Sequence, residues 1–252
     1  MNNPSDDTTT RTADAPRTVV TSTGGKSIKV RDALVALLTF GVGSVDALSF
    51  LTLGGVFASF MSGNTVTLGV RIGQGNFPLA LNSLTAILGY IGGVALGANI
   101  AYPTGGPREV WPWAVTKTFA AEFLILLLFA IVGFVVGKPG GNVVYVLILL
   151  ASVPMGMQSV GVYRLGVSGV STTYVTGTWT SFIIGLVTLR RSPSSRTVKQ
   201  EESTGFQAIT LLVYVLGAAT GGLAGTYFLL KAAIIPVVAI GLVLIVASMR
   251  MR

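Results

Sequence analysis

The chain has 252 residues, of which 51% are hydrophobic and only 10% are charged, and its mean hydropathy is +0.75. So few polar side chains cannot cover the surface of a water-soluble protein of this length, which places the chain in a lipid bilayer. It has neither cysteine nor histidine, so disulfides, thiolate catalysis and the commonest metal ligand are excluded.

The first 30 residues are rich in Thr, Ser, Asp and Asn and contain no long apolar run. We expect residues 1–30 to form a disordered cytoplasmic tail and residues 31–252 to form a transmembrane domain with a basic cytoplasmic loop at 190–205. The domain contains apolar segments near the length of a membrane-spanning helix, at 33–53, 57–73, 78–102, 114–137, 143–162, 172–189, 206–229 and 232–249. The sequence thus predicts an all-α, polytopic transmembrane helix bundle.

The segments fall into two similar halves, 33–137 and 143–250. Residues 53–65 and 165–178 each contain a Leu-Gly turn followed by a Ser/Thr-Gly-Asn/Thr step. The spacing Tyr-x-x-Gly-x-x-x-Gly also occurs twice, at Tyr90, Gly93 and Gly97 and again at Tyr214, Gly217 and Gly221. Glycines at this spacing are typical of close helix packing. We therefore predict two internal repeats of about four segments, in which the second segment is short or broken.

The two halves can be arranged in two ways. If all eight segments span the membrane, the halves share one orientation and the Lys and Arg residues divide 13 inside to 4 outside. If the second segment of each half is re-entrant, six segments span, the halves are inverted and the division is 14 to 3. Both arrangements place both termini in the cytoplasm. The length of the short segments favours eight spans.

Of the nine acidic residues, only Asp46 and Glu122 lie within apolar segments. A carboxylate there costs about 3 kcal/mol on insertion scales, so it usually faces a partner, a polar cavity or a proton path. The predicted counterpart of Asp46 is Gln158, at similar depth beside the same axis, and its possible charge partners are Arg71 and Arg164. Asp46 has either a functional role or a structural one, as a hydrogen-bond partner of, for example, Ser59, Thr65 or Arg71.

The hydroxyl and amide side chains at the two Ser/Thr-Gly steps are further candidates. Interrupted helices at a repeat interface expose backbone dipoles and side-chain oxygens to a solute. The predicted solute site comprises Asp46, Ser62, Asn64, Thr65, Gln158, Thr176 and Thr178. Helix packing is the alternative role for the residues of these two steps. Glu122 is expected to pair with Lys117, one turn and a residue earlier.

The motifs at 43–65, 156–158 and 172–178 resemble those of the YoaK family of small bacterial integral membrane proteins. They read Gly-Ser-Val-Asp-Ala-Leu-Ser-Phe-Leu-Thr-Leu-Gly-Gly-Val-Phe-Ala-Ser-Phe-Met-Ser-Gly-Asn-Thr, Gly-Met-Gln and Thr-Thr-Tyr-Val-Thr-Gly-Thr. The likeness covers residues 31–250, and Ser62 replaces the Thr that the family commonly has before Gly-Asn. The resemblance implies a multi-pass protein of the bacterial inner membrane, and it brings no activity with it.

Three functional hypotheses follow. The first is a transporter or channel-like permease for an unidentified small solute, and the alternative is a non-transporting scaffold, chaperone or sensor. An intramembrane enzyme is the weakest, because without His or Cys it needs an Asp46 and Glu122 dyad. We therefore expect no enzymatic activity, no cofactor and no metal. The net charge of +8 matches the basic excess of cytoplasmic loops, so the expected partners are the lipid bilayer and a solute, without nucleic acid.

Overall fold

The computed structural model describes residues 22–103, 109–167, 172–173, 175–191 and 198–251. The predicted tail up to residue 21 and part of the predicted loop, 192–197, lie outside these residues, whereas 22–30 of the tail and 198–205 of the loop are helical. Within them, all regular structure is helical, which confirms the all-α prediction. The helices are α1 Ser22–Thr52, α2 Met61–Gly73, α3 Phe77–Ala101, α4 Trp113–Val136, α5 Val143–Leu165, α6 Val175–Arg191, α7 Val198–Phe228 and α8 Ile234–Arg250, with a 3-10 helix, Leu229–Ala233, between α7 and α8.

Five stretches of the described chain are long and apolar enough to cross a membrane, and they cover six of the eight predicted segments. They are Ile28–Thr52, Phe77–Ala101, Trp113–Val136, Val143–Leu165 and Gln200–Arg250. The last has 51 residues, enough at about 1.5 Å per residue for two crossings of about 30 Å, and the 3-10 helix divides it into α7 and α8. The second segment of each half is short, with 13 residues in α2 and 17 in α6.

Helices α1 and α7 run parallel and pack through glycine. A Cβ added to Gly217 would overlap the backbone of Phe40, and one added to Gly221 would overlap the backbone of Ser44. Since both residue numbers rise together along the contact, the two helices point the same way. Only glycine permits this approach of one helix backbone to another, so both residues lie in a close helix contact.

Helices α3 and α5 form a second parallel pair of the same kind. Gly93 packs against the backbone of Val153, and Gly97 packs against the backbone of Met157, at 2.9 Å from a Cβ on Gly97 to the Met157 Cα. The glycine motif of each half therefore contacts the first helix of the other half.

Helices α1 and α5 run antiparallel. Gln158 donates to the carbonyl of Leu38, while Arg31 donates to the carbonyl of Leu165, both at 3.4 Å. A later residue of α5 thus meets an earlier residue of α1. Eight spanning segments would make these helices parallel, so that expectation is wrong. The physical reason lies in α2, whose 13 residues extend about 20 Å and cannot cross a hydrocarbon core of about 30 Å.

Candidate functional site

The segment between α1 and α2, residues 53–60, is irregular and turns back into the protein. Gly54 and Gly55 have φ values of +79° and +70°, a left-handed conformation that glycine adopts without steric cost. Beyond this turn, Val56, Ala58 and Ser59 are buried. Because a buried irregular segment must find partners for its backbone groups, the side chains that bond to it determine its position.

Asp46 is the first of these side chains. It is buried in α1, and its carboxylate accepts hydrogen bonds from the Ser59 amide at 2.7 Å, the Ser59 hydroxyl at 2.6 Å and the Tyr214 hydroxyl at 2.9 Å. Hydrogen bonds to an ionised acceptor are the strong ones. Asp46 thereby joins α1, segment 53–60 and α7. Of the two roles considered for Asp46, these contacts favour the structural one.

Asn64 holds the same segment from α2. Its Oδ1 accepts from the amide of Phe57 at 2.9 Å, and its Nδ2 donates to the carbonyl of Phe57 at 2.7 Å. This reciprocal pair satisfies both backbone groups of one residue in the irregular segment. The predicted binding residue Asn64 is therefore engaged with its own chain.

Arg71 lies near the end of α2, and oxygen acceptors surround its guanidinium. Its guanidinium donates to the carbonyls of Gly54 at 2.6 Å, Gly55 at 3.0 Å and Leu79 at 2.9 Å, and to the hydroxyl of Ser83 at 2.7 Å. The predicted pairing of Arg71 with Asp46 is not made. Arg164 is not the partner of Asp46 either: its guanidinium lies over the ring of Tyr102, 5.1 Å from the centroid.

The remaining hydroxyls of the predicted solute site do not converge. Ser62, Thr65 and Thr176 are exposed on the outer faces of α2 and α6, while Thr178 is buried. The Thr65 hydroxyl donates to the carbonyl of Met61 at 2.8 Å, the local bond that Thr makes when no other partner is near. Successive helical residues point in different directions, so one Ser/Thr-Gly step cannot present all its side chains to one site.

Gln158 lies in the contact between α1 and α5, at a different level from Asp46. Its Nε2 donates to the Leu38 carbonyl at 3.4 Å and to the Thr172 hydroxyl at 3.1 Å. Leu38 precedes Asp46 by eight residues, about 12 Å along a helix. The expectation that Asp46 and Gln158 lie at similar depth is therefore wrong. The Oε1 of Gln158 has no partner among the described residues.

Ser159 has the surroundings in α5 that Asp46 has in α1. The hydroxyl of Tyr90, from α3, lies 2.6 Å from the Ser159 hydroxyl, which also contacts the hydroxyl of Thr173. Asp46 likewise meets a tyrosine from a parallel helix and a hydroxyl from the segment that follows its own helix. The structural counterpart of Asp46 is therefore Ser159, one residue after the predicted counterpart, Gln158.

The surroundings of Glu122 differ from those predicted from the sequence. It lies on α4 with 0% exposure, and neither of its oxygens has a hydrogen-bond partner in the described part of the chain. Lys117, its expected partner, is exposed on α4. Therefore the two do not pair, and no Asp46 and Glu122 dyad forms. A buried carboxyl without partners is costly, and such groups in membrane helices mark functional sites.

The helix register places Glu122 at the level of Gln158. The ring of Phe119 packs directly against Gly161, and the two helices, joined by a short connection, run antiparallel. One turn further along α4 is Glu122, and one turn back along α5 is Gln158. This Glu122–Gln158 layer, where α4 packs on α5 and α5 meets α1, holds three acceptor atoms without a described donor. It is the candidate functional site.

Comparison with known proteins assigns the chain to a family. The family described as "Protein of unknown function (DUF1275)" matches residues 34–247. The UPF0700 transmembrane protein YoaK of Bacillus subtilis (strain 168) is 33% identical over 229 residues, which cover 88% of this chain and 96% of the relative. No solved structure matches the chain significantly. The chain therefore belongs to the DUF1275 family, the YoaK-like membrane proteins that its motifs resemble.

Proposed function

We propose that the protein is a small-solute permease of the bacterial plasma membrane, built from two inverted repeats. The observation that carries this proposal is the antiparallel contact of α1 with α5, because these are the first helices of the two similar halves. Inverted repeats that meet near the bilayer midplane are the architecture of many secondary transporters.

Matched contacts support the repeat. Gly43 of α1 packs against Tyr214 and Ala218 of α7, and Gly156 of α5 packs against Tyr90 and Val94 of α3. Tyr90 and Tyr214 are 124 residues apart, as are Val94 and Ala218. The same neighbours thus occupy the same places in both halves, and each contact crosses from one half to the other.

The interrupted second segments support transport. In the first half, the irregular segment 53–60 meets Asp46 inside the bundle before α2 begins. In the second half, Thr173 meets Ser159 just before α6. Non-helical backbone at membrane depth is tolerated where protein or a polar cavity surrounds it, and in transporters it lies beside the solute. A rocking movement of the α1–α7 pair against the α3–α5 pair, each held together by glycine contacts, would take place about the contact of α1 with α5.

The Glu122–Gln158 layer is the proposed solute or coupling site. Glu122 belongs to the first half and Gln158 to the second, so a ligand held between them is held across the repeat interface. A proton or solute donor would satisfy the acceptors that the described chain leaves unpaired. The proposed solute site therefore excludes Asp46 and Asn64, whose hydrogen bonds are made to other parts of the chain. The proposal includes no enzymatic step.

The basic residues support an orientation with both termini in the cytoplasm. In the inverted arrangement, 14 of the 17 Lys and Arg residues lie on the side of the N-terminus of α1 and three lie on the other. Basic residues are enriched in short cytoplasmic loops.

Flux through the purified protein in proteoliposomes tests the proposal. A panel of amino acids, sugars, polyols and small organic cations is offered with and without a pH gradient. Wild type is expected to transport at least one of them, and Glu122→Gln is expected to reduce that flux by about tenfold or more. Glu109→Gln, a matched change at an exposed position, should retain it. Full flux in Glu122→Gln would remove Glu122 from the mechanism, and no flux for any solute, with a protein partner co-purifying stoichiometrically, would favour a scaffold.

A further inference from the structure

A cavity of about 270 Å³ lies between α6 and α7. Most of its accessible lining is apolar, but six of its eight lining residues carry a hydroxyl or an amide, namely Ser181, Thr188, Gln200, Ser203, Thr204 and Gln207. Gln207 is only 5% exposed, and its Oε1 accepts no hydrogen bond from the residues that the structure describes. A buried acceptor without a donor is unfavourable. The cavity therefore suits a ligand that donates hydrogen bonds.

The first half has the corresponding groove between α2 and α3, and a guanidinium fills it. The Ser-Gly-Asn step at 62–64 and the Thr-Gly-Thr step at 176–178 are 114 residues apart, so Gly185 occupies the position in the second half that Arg71 occupies in the first. The tyrosine motifs are 124 residues apart, so Gln207 is the counterpart of Ser83. In the first groove, Arg71 donates to Ser83 at 2.7 Å.

Contacts within the second half agree with this register. A Cβ on Gly185 would overlap the side chain of Thr204, one turn before Gln207 on the same helix. Gly185 thus faces α7 in the way that Arg71 faces α3. Glycine at this position removes the side chain that fills the first groove, and the space it leaves is part of the cavity, which Gly185 lines.

We propose that the cavity between α6 and α7 binds the guanidinium group of a small solute. The acceptors around Arg71 in the first half are three carbonyls and a hydroxyl, all neutral, so a guanidinium needs no carboxylate in such a groove. Gln207 offers an amide oxygen, and Ser203 and Thr204 offer hydroxyls. The planar, forked donors of a guanidinium match several fixed acceptors better than a compact ammonium does. The volume is below the roughly 300–1,000 Å³ of sites for drug-sized ligands, so it fits a ligand of few atoms.

Calorimetric titration of the full chain in nanodiscs with methylguanidinium chloride, at constant ionic strength, tests this site without reference to transport. Wild type should bind methylguanidinium saturably at one site. Its affinity for methylammonium should be lower by a factor of about ten or more. Gln207→Leu and, independently, Thr204→Ala should weaken methylguanidinium binding by about tenfold, the effect of one lost hydrogen bond of about 1.4 kcal/mol. Gln74→Leu, a change of an exposed glutamine, should leave it unchanged.

Arg71→Gly provides the positive control, because it empties the first groove and copies Gly185. Methylguanidinium should bind this variant at a second site and raise its thermal stability. Binding to Arg71→Gly without any binding to wild type would overturn the proposal, as would wild-type affinity in both cavity variants. Stabilisation by an anionic phospholipid that requires Gln207, with no binding of methylguanidinium, would assign the cavity to a lipid headgroup and overturn it equally.

Discussion

The hydroxyl of Tyr214 donates to the carboxylate of Asp46 at 2.9 Å, from α7 of the second half to α1 of the first. The same carboxylate accepts two bonds from Ser59, so one side chain joins both halves to the irregular segment 53–60. A fully satisfied polar group of this kind specifies one arrangement of the helices around it. An acid in an apolar helix is therefore explained here without a ligand.

Replacing Asp46 is predicted to destabilise the protein, and the loss of stability should depend on whether the new side chain can accept hydrogen bonds. Asp46→Leu leaves the donors of Ser59 and Tyr214 without an acceptor and should cost about 3 kcal/mol. Asp46→Ser retains a hydroxyl, which is the group that Ser159 provides at the matching place in α5, and should cost about 1 kcal/mol. Thermal unfolding in detergent, monitored by size-exclusion chromatography, measures the stabilities, which should fall in the order wild type, Asp46→Ser, Asp46→Leu.

The control for this prediction is a double-mutant cycle with Tyr214→Phe. Because Tyr214 and Asp46 share a hydrogen bond, their changes should be non-additive by about 0.5–3 kcal/mol. Additive losses, or an Asp46→Leu protein as stable as wild type, would contradict a structural role for this carboxylate.

Gly93→Ala is predicted to destabilise the contact between α3 and α5. The added Cβ overlaps the carbonyl of Val153, and overpacking of this kind costs about 1–3 kcal/mol. The neighbouring Gly92 has no atom within 4 Å of an added Cβ, so Gly92→Ala is a matched control that should leave stability unchanged or raise it slightly. Comparing the melting temperatures of the two variants measures the difference, and equal values would mean that the close helix contact is absent.

Much of the fold follows from the sequence because apolar runs of membrane length must become helices. The segment predicted at 78–102 is α3, Phe77–Ala101, and that predicted at 114–137 is α4, Trp113–Val136. The run at 57–73 was misleading, since three of its first four residues are apolar, yet none of the four is helical. Hydropathy does not report conformation, so the shorter α2, and with it the antiparallel contact of α1 with α5, could not be read from it.

The candidate site was less predictable, because it depends on which face of a helix a residue occupies. Asp46 was correctly singled out as a buried acid, and Ser59, 13 residues away, was among its possible partners, but Tyr214, 168 residues away, was not. Glu122 was assigned a local partner, Lys117, that lies exposed on the same helix. A single sequence does not state which helices are neighbours, and the unpaired atoms of Glu122 and Gln158 become visible only once α4 and α5 are in place.

Arg71→Lys is predicted to destabilise segment 53–60 although it conserves the charge. The guanidinium donates to four oxygens, two of which belong to Gly54 and Gly55 in the turn after α1. An ammonium has no planar fork and cannot reach all four, so about 1–3 kcal/mol should be lost. Limited proteolysis should cleave the variant sooner within 53–60 than wild type. Lys138→Arg, a change in a surface loop, should have no effect, and equal cleavage of Arg71→Lys and wild type would exclude the role assigned to the guanidinium.

Gln74 and Arg191 lie just past or at the ends of the short helices α2 and α6, and inverted halves place them on opposite sides of the membrane. The chain has no cysteine, so Gln74→Cys and Arg191→Cys each introduce a single reactive thiol at an exposed position. A membrane-impermeant maleimide should label Gln74→Cys in intact cells and Arg191→Cys only after permeabilisation, because the many basic residues near Arg191 favour the cytoplasm. Labelling of both thiols only after permeabilisation would mean that the two halves share one orientation. The antiparallel contact of α1 with α5 would then be wrong, and the proposal of an inverted-repeat permease would fail with it.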